Sequence, residues 1–363
     1  MEFIADIVLI VLAQFQKPTL AFLIGGMVLA ACQSKFAVPE PVYQFIVIVL
    51  LLKIGIGAGI SVREADIISL LVPALGAAVV GVAIVIIGML TLARVKGVSR
   101  VDGITTAGVF GAVSASTLAA GMAILDGDGI AYEGFIGALY PFMDIAALVT
   151  AIVLARISVN RAQSAQMQTG VDTDAESMTS NDVATHTAGP SFFSGVNPAM
   201  VKGIFVDSIR SPAISALLLG LALGLFARPD SVYHSFYEPI FRGLLSILML
   251  IMGAEAWARI SQMRKVAHAY LVYGIVGPLV HGMMGFGVGV LAHHLTGFSA
   301  GGVVLLSIMA ASSSDISGPP TVRAAVPEAN PSAYIGASTG IGTPVAILSI
   351  PLFMALADLV IGF

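Results

Sequence analysis

The 363-residue sequence predicts an all-α polytopic membrane protein, and three observations carry that prediction. Apolar residues make up 57% of the chain and charged residues only 10%, where a soluble domain has about 45–50% and about 25%. Apolar runs of the roughly 20 residues that a membrane-crossing helix needs recur along its length. The hydrophobic stretches on either side of a polar segment also carry matching blocks, the sign of an internal duplication.

Ten spans are predicted, at about residues 18–33, 42–61, 69–94, 103–125, 136–156, 212–227, 239–259, 268–295, 299–325 and 333–360. Ahead of the first, Met1 to Gln16 has an acidic start (Glu2, Asp6) and no basic region, so it reads as an interfacial helix leading to Pro18 rather than as a cleaved signal peptide. Pro18 and Pro212 each open a short span rich in Leu, Gly and Ala. Many of the spans are rich in glycine, as helices packed through small residues tend to be. From 157 to 200 Gln, Ser, Thr, Asp and Asn dominate and no apolar period persists, which predicts a mobile polar linker with too little apolar surface to offset its ordering entropy. The chain thus divides into a first five-helix repeat (1–156), a linker with an interfacial helix (157–211) and a second five-helix repeat (212–363).

An offset of 198 lays Gly111–Thr117 (GAVSAST) over Met309–Asp315 (MAASSSD), with Ser114 over Ser312 and Ser116 over Ser314. An odd number of spans per repeat inverts the second copy relative to the first, the arrangement of many secondary transporters. With the N-terminus outside, inner loops carry twelve of the 17 Lys and Arg and outer loops four, with Lys53 inside a span. That bias puts both termini outside and the linker in the cytoplasm of a cell bounded by this membrane.

Several function classes are excluded. Seventeen basic against 21 acidic residues give a net charge of −4, with no basic excess to hold nucleic acid. The single cysteine, Cys32, closes no intramolecular disulfide, and no Cys/His cluster has metal-ligand spacing. No GxSxG, HExxH or P-loop is present, so no enzyme activity, catalytic residue or organic cofactor is expected.

The fourth and ninth spans are interrupted at matching places, and such interruptions point to a transporter's binding site. Ser312 to Pro320 reads SSSDISGPP, in which two prolines remove amide donors and clash with the preceding turn. Ser317 or Gly318 would cap a new half-helix with Pro319 in its first turn; in the fourth span Ser114, Ser116 or Thr117 would do the same. Two helix starts facing each other make an anion site, to which the hydroxyls of Ser114, Ser116, Ser313 and Ser314 would donate. Asp315 and carbonyls released by the unwinding supply oxygen ligands for a hard cation such as sodium. Common alternatives are hydroxyls bonded back to their own helices.

Ionisable groups within spans are costly and face partners or wet cavities. Asp144, just after Pro141, reads as a second cation ligand or as the partner of Lys53, which otherwise snorkels to an interface. Glu255 reads as a member of a structural ion pair, and His281 as an interhelical hydrogen-bonding residue. His293 and His294 read as surface histidines.

At these blocks the sequence resembles the SbtA-type sodium-dependent bicarbonate transporters. The resemblance rests on PTLAFLIGGMV (18–28), FGAVSAST (110–117), GALYPFMDI (137–145), FRGLLSILMLIMG (241–253), AASSSDISGPPT (310–321) and NPSAYIGAST (330–339). It implies ten spans as two inverted repeats, a core domain with two crossed broken helices moving elevator-fashion against a scaffold domain, and a homotrimer in the lipid bilayer of the plasma membrane. It also implies sodium-coupled bicarbonate import. Carried over by motif, Ser114, Ala115, Ser116, Ser313 and Ser314 would contact bicarbonate, and Thr117, Asp144, Ser312 and Asp315 sodium. Ala115 departs from the glycine that the family pattern has between the two serines, and its methyl would narrow the anion pocket. The resemblance admits a PII-like regulatory protein on the cytoplasmic side. Alternatives are a symporter of another small oxyanion, a sodium/proton antiporter of similar fold working through Asp144 and Asp315, and a receptor that binds an anion without moving it.

Overall fold

The structure, a computed structural model, describes residues 18–171, 198–262 and 268–363, and every element among them is helical. The expected interfacial helix at Met1 to Gln16 lies outside the described residues, as does 172–197 of the expected polar linker. In chain order the helices are α1 (Pro18–Ala31), α2 (Glu40–Val62), α3 (Ile67–Leu90), α4 (Arg100–Gly111), α5 (Ala115–Asp128) and α6 (Tyr140–Val171). They continue with α7 (Pro198–Ile209), α8 (Pro212–Phe226), α9 (Glu238–Gln262), α10 (His268–Thr296), α11 (Ala300–Ala311) and α12 (Gly318–Ala325). The last stretch, α13 (Pro331–Val360), contains a π-helical turn at Ser338–Gly342.

Among the described residues seven helical stretches are long and apolar enough to cross a membrane, and α4 with α5 counts as one of them. The remaining apolar helices are shorter. At 14 residues α1 is about 21 Å long, and the 12 residues of α11 reach about 18 Å, against a hydrocarbon thickness of about 30 Å. α7 and α8 meet at a 70° bend, which Pro212 imposes by excluding its predecessor from helical geometry while Ser211 caps α8.

The expected linker boundary at residue 157 differs from the structure, where α6 continues to Val171. The extension reads NRAQSAQMQ over 160–168, in which Arg, Ala, Gln and Met are strong helix formers. The residues thus lack an apolar period without lacking helix propensity. On the far side of the undescribed stretch α7 is helical from Pro198.

Two crossings bring backbones into contact. Gly55 and Gly59 of α2 face Gly220 and Gly224 of α8, so closely that a Cβ on Gly59 would lie 2.9 Å from the Gly224 Cα. Gly26 of α1 and Gly253 of α9 meet across the second crossing; a Cβ on Gly253 would lie 3.0 Å from the Met27 amide. α1, α2, α8 and α9 therefore pack as one group. The remaining long helices pack around the pair of interrupted ones, with every residue of α11 and most of α4 and α5 buried.

Replacing Gly224 with Leu is expected to lower stability by about 1–3 kcal/mol, since an added side chain there meets the α2 backbone. Gly243→Ala, at a helical position with open space around it, should be neutral or mildly stabilising. Thermal unfolding midpoints of the two detergent-purified variants check this; equal midpoints would refute the close crossing.

Candidate functional site

The chain leaves helical geometry at residues 112–114 between α4 and α5, and at 312–317 between α11 and α12. In a continuous helix the Val113 amide would bond to the Val109 carbonyl and the Ser314 amide to that of Ala310. Instead the Val113 amide donates to Asp144 Oδ1 at 3.0 Å, and the freed Val109 carbonyl accepts from the Ser314 amide at 2.8 Å. The Ser114 amide donates to Ser312 Oγ at 2.9 Å, whose own hydroxyl donates to the Met309 carbonyl at 2.7 Å. Ser114 and Ser312 are the pair that the 198-residue offset superimposes, so the two interruptions meet at their equivalent residues.

Ser114 caps α5, its Oγ accepting from the Thr117 amide at 3.2 Å, and it shares a 2.8 Å hydrogen bond with Ser116 Oγ. The second start is built differently. Ser317 occupies the cap position of α12, but Ser314 Oγ accepts the Gly318 amide, at 2.7 Å. The following Pro319 and Pro320 have no amide to offer. The expectation of two equivalent amide-bearing starts therefore meets an asymmetric arrangement. α5 presents the amides of its first positions, Ala115 and Ser116, which have no acceptor within the helix, whereas the α12 start presents hydroxyls and a carboxylate.

The two carboxylates differ in their partners. Asp144, fully buried on α6, accepts from Ser317 Oγ on both oxygens (3.1 and 3.2 Å) as well as from the Val113 amide. It clasps one interruption to the other. Lys53 is not its partner: the ammonium lies over the Phe241 ring, 4.3 Å from the centroid, and over Tyr233 at 5.9 Å. A buried cation here meets aromatic faces, which attract it through the ring quadrupole. Asp315 accepts through Oδ2 from Ser116 Oγ at 3.0 Å and Tyr43 OH at 3.4 Å. Its Oδ1 is buried with no hydrogen-bond partner among the described residues, and so is Thr117 Oγ1 one residue after Ser116.

Ser313 faces elsewhere than the other serines. Its Oγ shares a 3.1 Å hydrogen bond with Thr343 Oγ1, and Thr343 also donates to the Ser313 carbonyl at 3.2 Å. The structure joins Ser114, Ser116, Ser312 and Asp315 in one hydrogen-bonded chain and Ser314, Ser317 and Asp144 in a second, the two meeting through the backbone at Val113, where Asp144 accepts from the amide next to Ser114; Ser313 pairs apart from both with Thr343, and Ala115 contributes no side-chain hydrogen bond. Tyr43 and Tyr140 join these chains without an interruption motif to mark them, and Ser317, expected only as a helix cap, donates to Asp144; Tyr140 OH donates to the Val113 carbonyl at 2.9 Å. Their signal was weak, since only Ser317 lies within the SSSDISGPP run. His281, expected to hydrogen-bond between helices, packs edge-on to Phe110 and Tyr273, and its Nδ1 has no partner among the described residues. His293 Nδ1 donates to the Phe298 carbonyl, 2.7 Å away.

A buried array of hydroxyls, two free helix-start amides and one carboxylate oxygen without a donor suits a small oxyanion beside a hard monovalent cation. Among the described residues no cluster of three or more His, Cys, Asp or Glu offers a transition-metal site. The family model of the Na+-dependent bicarbonate transporter superfamily matches residues 18–358. No curated protein matches the chain.

Asp144→Ala is expected to lower stability by about 1–3 kcal/mol, because it strands the buried Val113 amide. Asp144→Asn keeps an oxygen for that amide and should lose less. Thermal midpoints measured without sodium separate the two, and equal losses would refute the clasp.

Proposed function

The chain belongs to the Na+-dependent bicarbonate transporter superfamily, and from that premise we propose that it is a sodium-coupled symporter that carries bicarbonate into the cell by alternating access. The family carries bicarbonate transport and the multi-pass membrane setting. The observation that carries the coupling is the buried, donor-free Oδ1 of Asp315. A carboxylate oxygen enclosed in a membrane protein without a donor is costly, and a bound cation removes that cost.

In this reading Asp315 and Thr117 hold sodium, with Ser312 and Asp144 behind them orienting the interruption. Bicarbonate lies against the α5 start, where the Ala115 and Ser116 amides donate to its oxygens and the hydroxyls of Ser114, Ser116 and Ser314 do so by exchanging their present partners. Sodium offsets the charge of Asp315 and lowers the cost of holding bicarbonate beside that carboxylate in a low-dielectric site, which links the binding of the two ions. Ser313, engaged with Thr343, would reach the anion only by exchanging that partner.

Two inverted repeats of five spans are supported by the packing. The offset that relates the halves exchanges α1 with α8 and α2 with α9, so the α1–α9 and α2–α8 crossings, each lined by glycine, are equivalents. Those four helices form the scaffold; the helices around the interruptions form the moving core, a division suited to an elevator. The homotrimer, the outward termini and a PII-like partner on the cytoplasmic side belong to the same reading. A sodium/proton antiporter would need two exchangeable carboxylates, and Asp144 is already engaged by three hydrogen bonds.

Uptake of labelled bicarbonate into proteoliposomes, with and without an inward sodium gradient, tests the proposal. Asp315→Asn, which keeps an oxygen but removes the charge, is expected to fold and to lose sodium-driven uptake. Sodium dependence retained in that variant would refute the cation assignment; counterflow insensitive to bicarbonate would favour another oxyanion or the antiporter. Ser116→Ala and Ser314→Ala should each weaken bicarbonate about tenfold to a hundredfold in direct binding, the loss of one hydrogen bond to a charged group. Unchanged anion affinity in both would confine these hydroxyls to their own helices.

A further inference from the structure

Asp315 is contacted from two different helix groups. Ser116, at the start of α5, donates to Oδ2 at 3.0 Å and belongs to the same packed body as Asp315 itself. Tyr43 donates to that same oxygen at 3.4 Å, but from the first turn of α2, a helix of the glycine-crossed group. Two donors therefore converge on one carboxylate oxygen while the other has none. The Tyr43 bond is long for an O–H···O contact, so it is weak and readily exchanged.

A hydroxyl donor and a cation do the same electrostatic work for a carboxylate, and each has less to stabilise once the other is present. We propose that Tyr43 is a positioning residue that latches the ion-free site to the other helix group, and that a cation taking up the charge of Asp315 releases the latch. The idea rests on the sodium-coupled reading above. Its consequence is specific to coupling. While Asp315 carries no cation, the hydroxyl of α2 holds the two helix groups in register, which opposes movement of a site lacking sodium. When sodium binds, the carboxylate accepts from Tyr43 less strongly and the groups part at lower cost. The residues around the contact suit this: the loop that precedes Tyr43, from Ser34 to Val38, lines a cavity of about 380 Å³ together with Glu255 and Ala254 of α9, which leaves this end of α2 beside open space.

A purely structural tyrosine and a latch predict opposite signs. Tyr43→Phe keeps the ring and removes only the competing hydroxyl, so sodium binding to the purified variant, measured with radiolabelled sodium by scintillation proximity, should become about three- to tenfold tighter. Sodium-free counterflow of labelled bicarbonate should rise in the same variant. Tyr43→Met serves the same titration if the Phe variant does not fold. Unchanged or weaker sodium affinity would overturn the latch. A wild-type protein that binds no sodium would instead overturn the coupled reading beneath it, a result separable because it needs no variant.

Discussion

The Ser114 amide bonded to Ser312 Oγ is the contact on which the arrangement of the site depends. Within a membrane the backbone groups released by an interrupted helix must find partners inside the protein, because no solvent is present to take them. At the first interruption the Val113 and Ser114 amides and the Val109 carbonyl are released together. Two of these three are satisfied by the second interruption, through Ser312 Oγ and the Ser314 amide, and the third by Asp144. Neither break could persist alone at this depth. Each exists because the other supplies its hydrogen bonds, and that mutual requirement fixes where hydroxyls and carboxylates converge.

The two breaks meet at Ser114 and Ser312, but their chemistry differs. The first half brings a serine-capped helix whose leading residues are Ala115 and Ser116, both with amides. The second brings Asp315 and a start occupied by Gly318, Pro319 and Pro320, where the amide that exists is already held by Ser314. Free amide positions at the helix starts thus come from the first half of the chain, and the carboxylate at the starts, Asp315, from the second. A site for two ions of opposite sign needs that division, because a strictly symmetric pair of starts would favour anions on both sides.

Much of this was legible in the sequence where the physics is local. Pro319 and Pro320 announce a break because proline lacks a donor, and Ser114 announces a cap because its hydroxyl reaches an amide three residues on. Composition sufficed for the membrane setting. What could not be read is the set of contacts between distant elements: Ser317 to Asp144, Ser313 to Thr343 and Tyr43 to Asp315 join residues separated by 173, 30 and 272 positions. No period or spacing encodes such pairs. The ring partners of Lys53 belong to the same class, since Phe241 and Tyr233 lie on the far side of the linker. The extension of α6 to Val171 is hidden for a different reason: its polarity resembles that of a loop, although Gln, Ala and Arg sustain a helix without any apolar face.

The two aspartates show how environment assigns different work to identical side chains. Asp144 accepts three hydrogen bonds from a backbone amide and Ser317, which leaves little capacity for an ion and makes the residue a brace between the interruptions. Asp315 has donors on one oxygen alone, and one of those donors comes from the opposite helix group. A brace must be saturated to hold geometry, whereas a binding carboxylate must be left partly unsatisfied so that a cation gains more than it displaces. The rigid crossings of α1 with α9 and α2 with α8 then matter to the site, because they give Tyr43 a fixed origin from which to approach Asp315. Close backbone packing in one group and an open carboxylate oxygen in the other fit the latch proposed above: the first would supply a stationary reference, and the second the group whose charge would decide whether the two remain attached.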